Sequence, residues 1–261
     1  MKTKIMGILN INSDSFFEGS RTAAGEAEQK IAQMINDGAD MIDIGALSSR
    51  PGSETISDEE ELGRLRNVLD IVKKNRFYEK AIFSLDSYSP LALDYALFCG
   101  FKIVNDITGL ANDEVCKTAK KHNAAVCIMH MKGEPKSMQA NPEYRNVVKE
   151  IDEFFKERID KAKSFDINDI ILDAGIGFGK ELRHNIELVK RQGDFLHFGY
   201  PLLIGASRKS MIDNITPCEV KERLSGTLII HAEAVRNGAS IVRCHDVKEH
   251  VQAFRVFEAL S

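Results

Sequence analysis

The chain has 261 residues, of which 43% are apolar and 28% are charged, and its formal net charge is −4 at pH 7. This composition is that of an ordinary globular protein, and the acidic balance argues against a nucleic-acid-binding protein, which usually carries a basic face. No segment approaches the roughly 20 apolar residues of a membrane span, and the first residues do not resemble a signal peptide. The five scattered cysteines form no Cys-x-x-Cys pair, which is typical of reduced thiols. We therefore expect a cytoplasmic protein with neither a nucleic-acid nor a membrane partner.

Short apolar runs alternate with longer amphipathic runs along the whole chain. In chain order, the sequence predicts strands at residues 4–9, 41–44, 81–85, 102–105, 124–129, 169–172, 202–205 and 240–244. It predicts helices at residues 23–37, 57–75, 89–98, 113–122, 143–164, 184–192, 220–237 and 247–260. Alternation of this kind gives βαβ units and a parallel sheet with both faces buried. Eight such units favour an α/β fold, a (β/α)8 TIM barrel forming a single domain over residues 1–261, although periodicity alone leaves a doubly wound sheet open.

A polar side chain lies at or just beyond the C-terminal end of every predicted strand. These are, in order, Asn10, Asp43 (with Arg50 in the following loop), Asp86, Asn105, His130, Asp173, the run from Ser207 to Ser210, and Arg243 with His245. Any one of them could be a helix cap, but eight at one end of a barrel indicate a shared site, because barrel active sites lie there. Carboxylates and carboxamides suit a heterocycle with N–H groups, and cations suit phosphate. The mixture predicts a heterocyclic ligand with an anionic tail.

The motifs around these residues run in order along nearly the whole chain. They are MGILN at 6–10 with DSF at 14–16, DIG at 43–45 with SSRPG at 48–52, SLDSY at 84–88, VNDI at 104–107, MHM at 129–131 with PKSMQ at 135–139, DAGIGFGK at 173–180, SRKS at 207–210 and RCHDV at 243–247. Together they resemble the motifs of the dihydropteroate synthases. The chain departs from the family pattern at Asn12-Ser13, Glu18, Ser49 and Ala174. None of these departures removes a chemical group, so activity is expected.

The resemblance implies a transferase of folate biosynthesis. Such an enzyme condenses 6-hydroxymethyl-7,8-dihydropterin pyrophosphate with p-aminobenzoate, giving 7,8-dihydropteroate and pyrophosphate, and the family is thought to release pyrophosphate first. The resemblance also implies Mg2+ as the cofactor and a homodimer, for which the predicted helices at 220–237 and 247–260 are the expected surface. Magnesium uses few protein ligands when substrate phosphates are available, so no dedicated cage of side chains is expected.

The resemblance also assigns the site residues. The pterin would be bound by Asp86, Asn105, Met129, Asp173, Phe178 and Lys209. The pyrophosphate would be bound by Asn10, Arg243 and His245, and Asn10 would also hold the metal ion. The p-aminobenzoate would be bound by Phe16, Ser49, Arg50, Pro51 and Ser210, with the loops at 10–22 and 45–56 closing over the site. The residues expected to act in catalysis are Arg50, Lys209, Arg243 and His245.

Other interpretations of these residues remain open at this stage. Met129 and Phe178 could be ordinary core residues, while Asp173 and Ser210 could simply cap the segments that follow them. Lys209 could form an imine in a sugar-phosphate lyase or isomerase, if a cation such as Arg208 lowered its pKa. A pterin-binding methyltransferase of the same barrel superfamily is the main alternative function, and a silent ligand-binding barrel is another. The glycine-rich run at 175–180 lacks the spacing of a phosphate-binding loop.

Overall fold

A computed structural model describes residues 2–11, 21–46, 56–133, 138 and 142–260, with the backbone alone at 21–24. Eight parallel strands close into a barrel in the order β1 to β8, and β1 pairs with both β2 and β8. The strands are β1 (Lys4–Asn10), β2 (Met41–Gly45), β3 (Ile82–Asp86), β4 (Ile103–Asp106), β5 (Ala125–Met129), β6 (Ile170–Asp173), β7 (Leu202–Ile204) and β8 (Ile241–Cys244). The predicted TIM barrel is confirmed, and the doubly wound alternative is excluded.

Helices follow the strands around the outside of the barrel. They are α1 (Arg21–Asp37), α2 (Asp58–Lys74), α3 (Pro90–Phe98), α4 (Asp113–Lys121), α5 (Val147–Ser164), α6 (Leu182–Lys190), α7 (Ser210–Ile215), α8 (Leu224–Arg236) and α9 (Val247–Leu260). Short 3-10 helices occur at Phe77–Glu79, Gln192–Phe198 and Val220–Glu222. The sequence predicted one helix at 220–237. In the structure, Val220–Glu222 form a separate 3-10 helix, and α8 begins only at Leu224. The short α7 was not predicted as an element of its own.

Local side-chain bonds decide where several helices begin. The helix predicted from residue 143 begins instead at Val147, because the side chain of Asn146 accepts a hydrogen bond from the backbone N–H of Lys149. Such an N-cap satisfies a donor that has no partner within the helix. Ser57 caps α2 in the same way, through the N–H of Glu60.

Two apolar layers hold the barrel together and leave its C-terminal end polar. One large buried cluster lies between the strands and the helices. A second, smaller cluster is formed by Met6, Met41, Ile103, Cys127, Ile171, Leu203 and Ile241. These residues precede the polar strand ends by two or more positions, so alternation along the strands places Asp43, Asn105, Asp173 and Arg243 on the same inner face. The polar groups at the mouth of the barrel therefore lie next to this second cluster, which we call the apolar plug.

Candidate active site

The predicted site residues that the structure describes collect at the C-terminal end of the barrel. Asn10, Asp86, Met129 and Asp173 are the last residues of β1, β3, β5 and β6, while Asn105 and Arg243 lie within β4 and β8. The remaining ones, Phe178, Lys209, Ser210 and His245, follow β6, β7 and β8. Four others, Phe16, Ser49, Arg50 and Pro51, lie outside the described residues, as do Asn12, Ser13 and Glu18.

A buried charged network joins four strands at the floor of the mouth. The carboxylate of Asp43 is fully buried, and its Oδ2 accepts hydrogen bonds from Nε of Arg243 at 2.6 Å and Nδ2 of Asn105 at 3.0 Å. Nη2 of Arg243 donates to Oδ2 of Asp86 at 2.8 Å. One guanidinium thus bridges β2, β3 and β8, and Asp43 orients an amide on β4. The sequence marked Asp43 as a polar strand end but did not assign it to the site.

Burial shifts the pKa values of the charged groups in this mouth. It raises the pKa of Asp86 to about 7, although Arg243 opposes the shift. It also raises the pKa of Asp173, against the nearby ammonium of Lys209. Burial lowers the pKa of Lys209 to about 8, with Asp173 opposing that shift and Arg243 reinforcing it. Shifts of this kind, clustered in one concave site, are typical of functional groups.

Asp173 has the capping role that the sequence left open, and this role is compatible with binding a ligand. It is 7% exposed, and its Oδ1 accepts the backbone N–H of Gly175 at 2.8 Å, so it does cap the turn after β6. A carboxylate has about four acceptor positions, and one N–H bond leaves capacity for a ligand. The turn bond fixes the side chain in place beside Lys209 rather than removing it from the site.

Lys180 anchors the segment at 174–180, which we call the β6 loop. Its side chain is buried, and Nζ donates to the backbone oxygens of Phe178 at 3.0 Å and His130 at 3.2 Å and contacts Nδ1 of His130 at 3.0 Å. Burial lowers the pKa of Lys180 and also that of His130, the latter to about 2. Nζ is directed at protein acceptors, in agreement with our rejection of a phosphate-binding loop. Sequence reasoning missed this residue; its only signal was a single lysine that ends a glycine-rich run.

Close backbone packing explains the glycines of the β6 loop. Gly175 has a φ of +67°, and a Cβ there would lie 2.0 Å from the backbone oxygen of His130. Gly179 has a φ of +61°, and a Cβ there would lie 2.1 Å from the oxygen of Lys132. Both positions therefore require glycine. The loop is pressed against the end of β5, which fixes where Phe178 lies.

Lys209 lies between the β6 loop and the mouth. Its Nζ is 4.4 Å from the ring centroid of Phe178 and donates to the backbone oxygen of Ile176. It is the N-cap residue of α7, and Ser210 is the exposed first residue of that helix rather than its cap. Arg208 is turned away, because its guanidinium donates twice to the carboxylate of Asp246. Arg208 is therefore not the cationic neighbour that the imine interpretation requires, although burial and Arg243 do lower the pKa of Lys209.

The remaining predicted residues are Asn10, His245 and Met129. Asn10 and His245 are exposed at the mouth, whereas Met129 is 4% exposed. Oγ of Ser207 accepts the backbone N–H of His245 at 3.2 Å and lies 2.9 Å from its Nδ1.

Within the described ranges, no three His, Cys, Asp or Glu side chains are grouped so that they could hold a metal ion. In the same ranges, no helix is long and apolar enough to cross a membrane, and all five cysteines are free.

Comparison with known proteins gives a consistent family. The family model described as "Pterin binding enzyme" matches residues 6–245. The bifunctional dihydropteroate synthase/dihydropteroate reductase of Helicobacter pylori is 43% identical over 99% of this chain and 68% of that protein. The dihydropteroate synthase of Escherichia coli is 41% identical over 98% of this chain and 90% of that protein.

Solved structures agree with these relatives. The dihydropteroate synthase of Yersinia pestis, in a sulfonamide drug complex, superposes with a TM-score of 0.91 at 36% identity, covering 99% of this chain and 94% of that one. The dihydropteroate synthase of Thermus thermophilus, in complex with 4-aminobenzoate, gives a TM-score of 0.89 at 33% identity, covering 100% of this chain and 95% of that one. The chain therefore belongs to the pterin binding enzyme family and, within it, to the dihydropteroate synthases.

Proposed function

We propose that the mouth of this barrel condenses 6-hydroxymethyl-7,8-dihydropterin pyrophosphate with p-aminobenzoate, and that pyrophosphate leaves before the amine attacks. One observation carries the proposal: Nη2 of Arg243 lies 2.8 Å from Oδ2 of Asp86. The cation assigned to the pyrophosphate is thus beside a carboxylate assigned to the pterin. A substrate that joins its ring to its pyrophosphate through one CH2 group requires this adjacency.

The pterin ring would be recognised along its polar edge. Asp173 would accept from the ring amino group and N3–H, because a carboxylate offers two parallel acceptors. Asp86 and Asn105 would meet the remaining edge, and Lys209 would donate to the ring carbonyl. Met129 and Phe178 would line the faces of the ring, and the contact between Lys209 and the Phe178 ring supports that placement.

The pyrophosphate would lie between Asn10, Arg243 and His245. Arg243 has further N–H donors beyond its bonds to Asp43 and Asp86. The hydroxyl of Ser207 accepts the backbone N–H of His245 and can donate to its Nδ1, which places the ring proton on Nε2, the N–H that we assign to the anion. Fixed donors here would stabilise the charge that develops on the departing oxygens.

A magnesium ion fits the donor set at the same place. The carboxamide oxygen of Asn10 is a hard, uncharged ligand at the mouth, and Mg2+ commonly combines few protein oxygens with substrate phosphates and water. When bound, the ion would neutralise charge on the pyrophosphate. We propose Asn10 as its protein ligand.

The second substrate would approach from the side of α7 and the first two loops. Ser210 begins α7, so its hydroxyl could bind the carboxylate of p-aminobenzoate. Phe16, Ser49, Arg50 and Pro51 would complete this subsite when the loops at 10–22 and 45–56 close. Because an aromatic amine is a weak nucleophile, attack on a ring-stabilised cation after pyrophosphate has left is the favoured order.

The decisive experiment mixes the two substrates with the enzyme and measures pyrophosphate release and 7,8-dihydropteroate together. We expect both products only when both substrates are present, and strongly reduced amounts of both from Asp173→Asn, the matched control, at a low concentration of the pterin substrate. Absence of pyrophosphate release from the wild-type enzyme would overturn the proposal. Methyl transfer to a cobalamin protein would favour the methyltransferase alternative, and borohydride trapping of substrate on Lys209 would favour the imine alternative.

The order of steps has its own test. The substrate carries a heavy-oxygen label in the bridge between the CH2 group and the pyrophosphate and is incubated with the enzyme without p-aminobenzoate. If pyrophosphate departs before the amine attacks, it can recombine with the pterin cation, and the label then appears in the non-bridging positions. Recovery of unscrambled substrate after prolonged incubation with Mg2+ would contradict pyrophosphate departure first.

We also propose a homodimer and a cytoplasmic location. The dimer is supported by exposed apolar side chains on α8 and α9, where Ile229, Val256 and Leu260 are 72%, 56% and 84% exposed. Equilibrium sedimentation of the wild type beside Ile229→Glu tests it, and a monomeric wild type would refute it. The five free cysteines fit a reducing compartment.

A further inference from the structure

A buried pair of histidines joins the two loops that follow β7 and β8, which we call the β7 loop (205–209) and the β8 loop (245–246). His231 on α8 and His250 on α9 are both fully buried. Nδ1 of His231 is 2.9 Å from Nε2 of His250. Neither residue touches the mouth described above, and neither has a role in the proposed chemistry.

Each end of the pair is attached to one loop. The backbone N–H of Ala206 donates to Nε2 of His231 at 3.0 Å. Nδ1 of His250 lies 2.6 Å from the backbone oxygen of Asp246. A continuous path of hydrogen bonds therefore runs from Ala206 through both rings to Asp246.

The direction of every bond in this path is fixed by its ends. The Ala206 N–H can only donate, and the Asp246 carbonyl can only accept. His231 must therefore be unprotonated at Nε2 and donate from Nδ1, and His250 must accept at Nε2 and donate from Nδ1. Both rings are neutral in this arrangement, and an additional proton on either ring would face an existing N–H.

The two attached residues adjoin the groups assigned to the pyrophosphate. Ala206 precedes Ser207, whose hydroxyl bonds to His245, and Asp246 follows His245. The same loops are also linked by the partly buried ion pair of Arg208 with Asp246 and by the bonds between Ser207 and His245. The histidine pair adds a fully buried connection between the loop that carries Lys209 and the loop that carries His245.

We propose that His231 and His250 are positioning residues, which set the separation of the β7 and β8 loops and thereby the affinity for pyrophosphate. This inference rests on the proposed assignment of pyrophosphate to Arg243 and His245. The pterin edge is formed mainly by Asp86, Asn105 and Asp173 on β3, β4 and β6, and of the two loops only the β7 loop contributes to it, through Lys209. Pterin affinity should therefore depend on the pair much less than pyrophosphate affinity does. A role in packing alone would affect both ligands through overall stability.

Charged groups around the pair agree with its neutral state. Burial lowers the pKa of both histidines. Lys209 in the β7 loop lowers the pKa of His231 further, whereas Asp246 and Glu249 oppose the shift of His250. Acid should therefore disrupt the path well below the ordinary histidine pKa of about 6.5.

Two matched substitutions of His250 break the path on one side of this residue or on the other. In His250→Gln, the side-chain amide can reach the Nε2 position and bond to His231, but the bond to Asp246 is lost. In His250→Asn, the amide can reach the Nδ1 position and bond to Asp246, but the bond to His231 is lost. Each variant keeps one bond, so local packing is similar in the two, and thermal melting verifies that both are folded.

The measurement is calorimetric binding of inorganic pyrophosphate with Mg2+, and separately of bare 6-hydroxymethyl-7,8-dihydropterin, at pH 7.5. We expect both variants to bind pyrophosphate about tenfold more weakly, the effect of roughly one lost hydrogen bond. Pterin affinity, to which only Lys209 of these loops contributes, should fall by less than about threefold. The wild-type to variant affinity ratio should fall only at pH values well below the ordinary histidine pKa of about 6.5. Wild-type pyrophosphate affinity in both variants, or equal losses for both ligands, would overturn the inference. A wild-type enzyme that binds no pyrophosphate would instead refute the pyrophosphate site, and the inference with it.

Discussion

Arg243→Ala should damage the protein in two separable ways. Among the residues that the structure describes, Arg243 is the only charged partner of the carboxylate of Asp43, which is fully buried, and the substitution removes it. Breaking a buried ion pair by removing one partner costs about 3–5 kcal/mol. Total stabilities are roughly 5–15 kcal/mol, so this loss alone could unfold much of the protein and imitate a loss of ligand binding.

A double variant distinguishes the two effects. In Asp43→Asn with Arg243→Ala, the fully buried charge at position 43 is replaced by a neutral amide, which can still bond to Asn105. Asp86, whose side chain is partly exposed, loses its ion pair in the single and the double variant alike. The remaining cost should be about 1–3 kcal/mol, that of an incompletely paired buried polar group. The double variant should therefore be more stable than Arg243→Ala alone, and urea denaturation measures the difference.

Ligand binding should not recover with stability. In the double variant we expect bare pterin to bind with near wild-type affinity, because Asp173 and Asn105 remain, whereas the pyrophosphorylated substrate gains little from its pyrophosphate. Titration calorimetry with the two ligands checks this. Two results would refute the reasoning. One is a decrease of less than about 1 kcal/mol in the free energy of unfolding of Arg243→Ala, a value typical of an ion pair at the surface. The other is a double variant that regains the affinity for the pyrophosphorylated ligand.

Four further predictions follow from single residues. Asp173→Asn should leave the protein folded but weaken pterin binding at least about tenfold, and unchanged affinity in calorimetry would contradict the assignment. Because burial lowers the pKa of Lys209 to about 8, kcat/KM for the pterin substrate should fall above that pH. In Lys209→Arg, this fall should begin at a higher pH. Burial raises the pKa of Glu61 from 4.5 to about 7, so the stability linked to its protonation is present below pH 4.5 and is lost as pH rises to 7. Glu61→Gln should then resist urea better by up to about 3 kcal/mol at pH 8 but not at pH 4. Arg50→Ala should depress turnover at saturating substrate while leaving pterin binding intact, and near-normal turnover would refute the proposed loop closure.

Strand positions could be predicted from the sequence because burial on both faces produces continuous apolar runs. β2, for example, was expected at 41–44 and spans Met41–Gly45, all of it buried. Helix starts were less predictable, since a single cap decides them. Asn146 moves the start of α5 by four residues from the predicted 143, and the six-residue α7 is too short to show a period.

The site was predictable where residues carry family motifs and unpredictable where their role depends on distant contacts. Asp43 and Arg243 are 200 positions apart in the chain, so no local pattern could show that one orients the other. Lys180 and His130 meet only because two loops pack together. The histidine pair lies on two different helices, and each residue alone is indistinguishable from an ordinary buried histidine.

The floor of the mouth explains how this barrel can hold a cation ready for an anionic leaving group. Arg243 is held from two sides by carboxylates on β2 and β3, and an apolar plug that includes Met6 and Cys127 lies within the barrel. The guanidinium is therefore oriented during folding, so under the proposed function little reorganisation would remain when pyrophosphate binds or departs. Donors fixed in this way stabilise developing charge more than donors that must first turn from solvent. The two carboxylates reduce the net positive charge of the mouth, but they hold the guanidinium in the orientation that the proposed reaction requires.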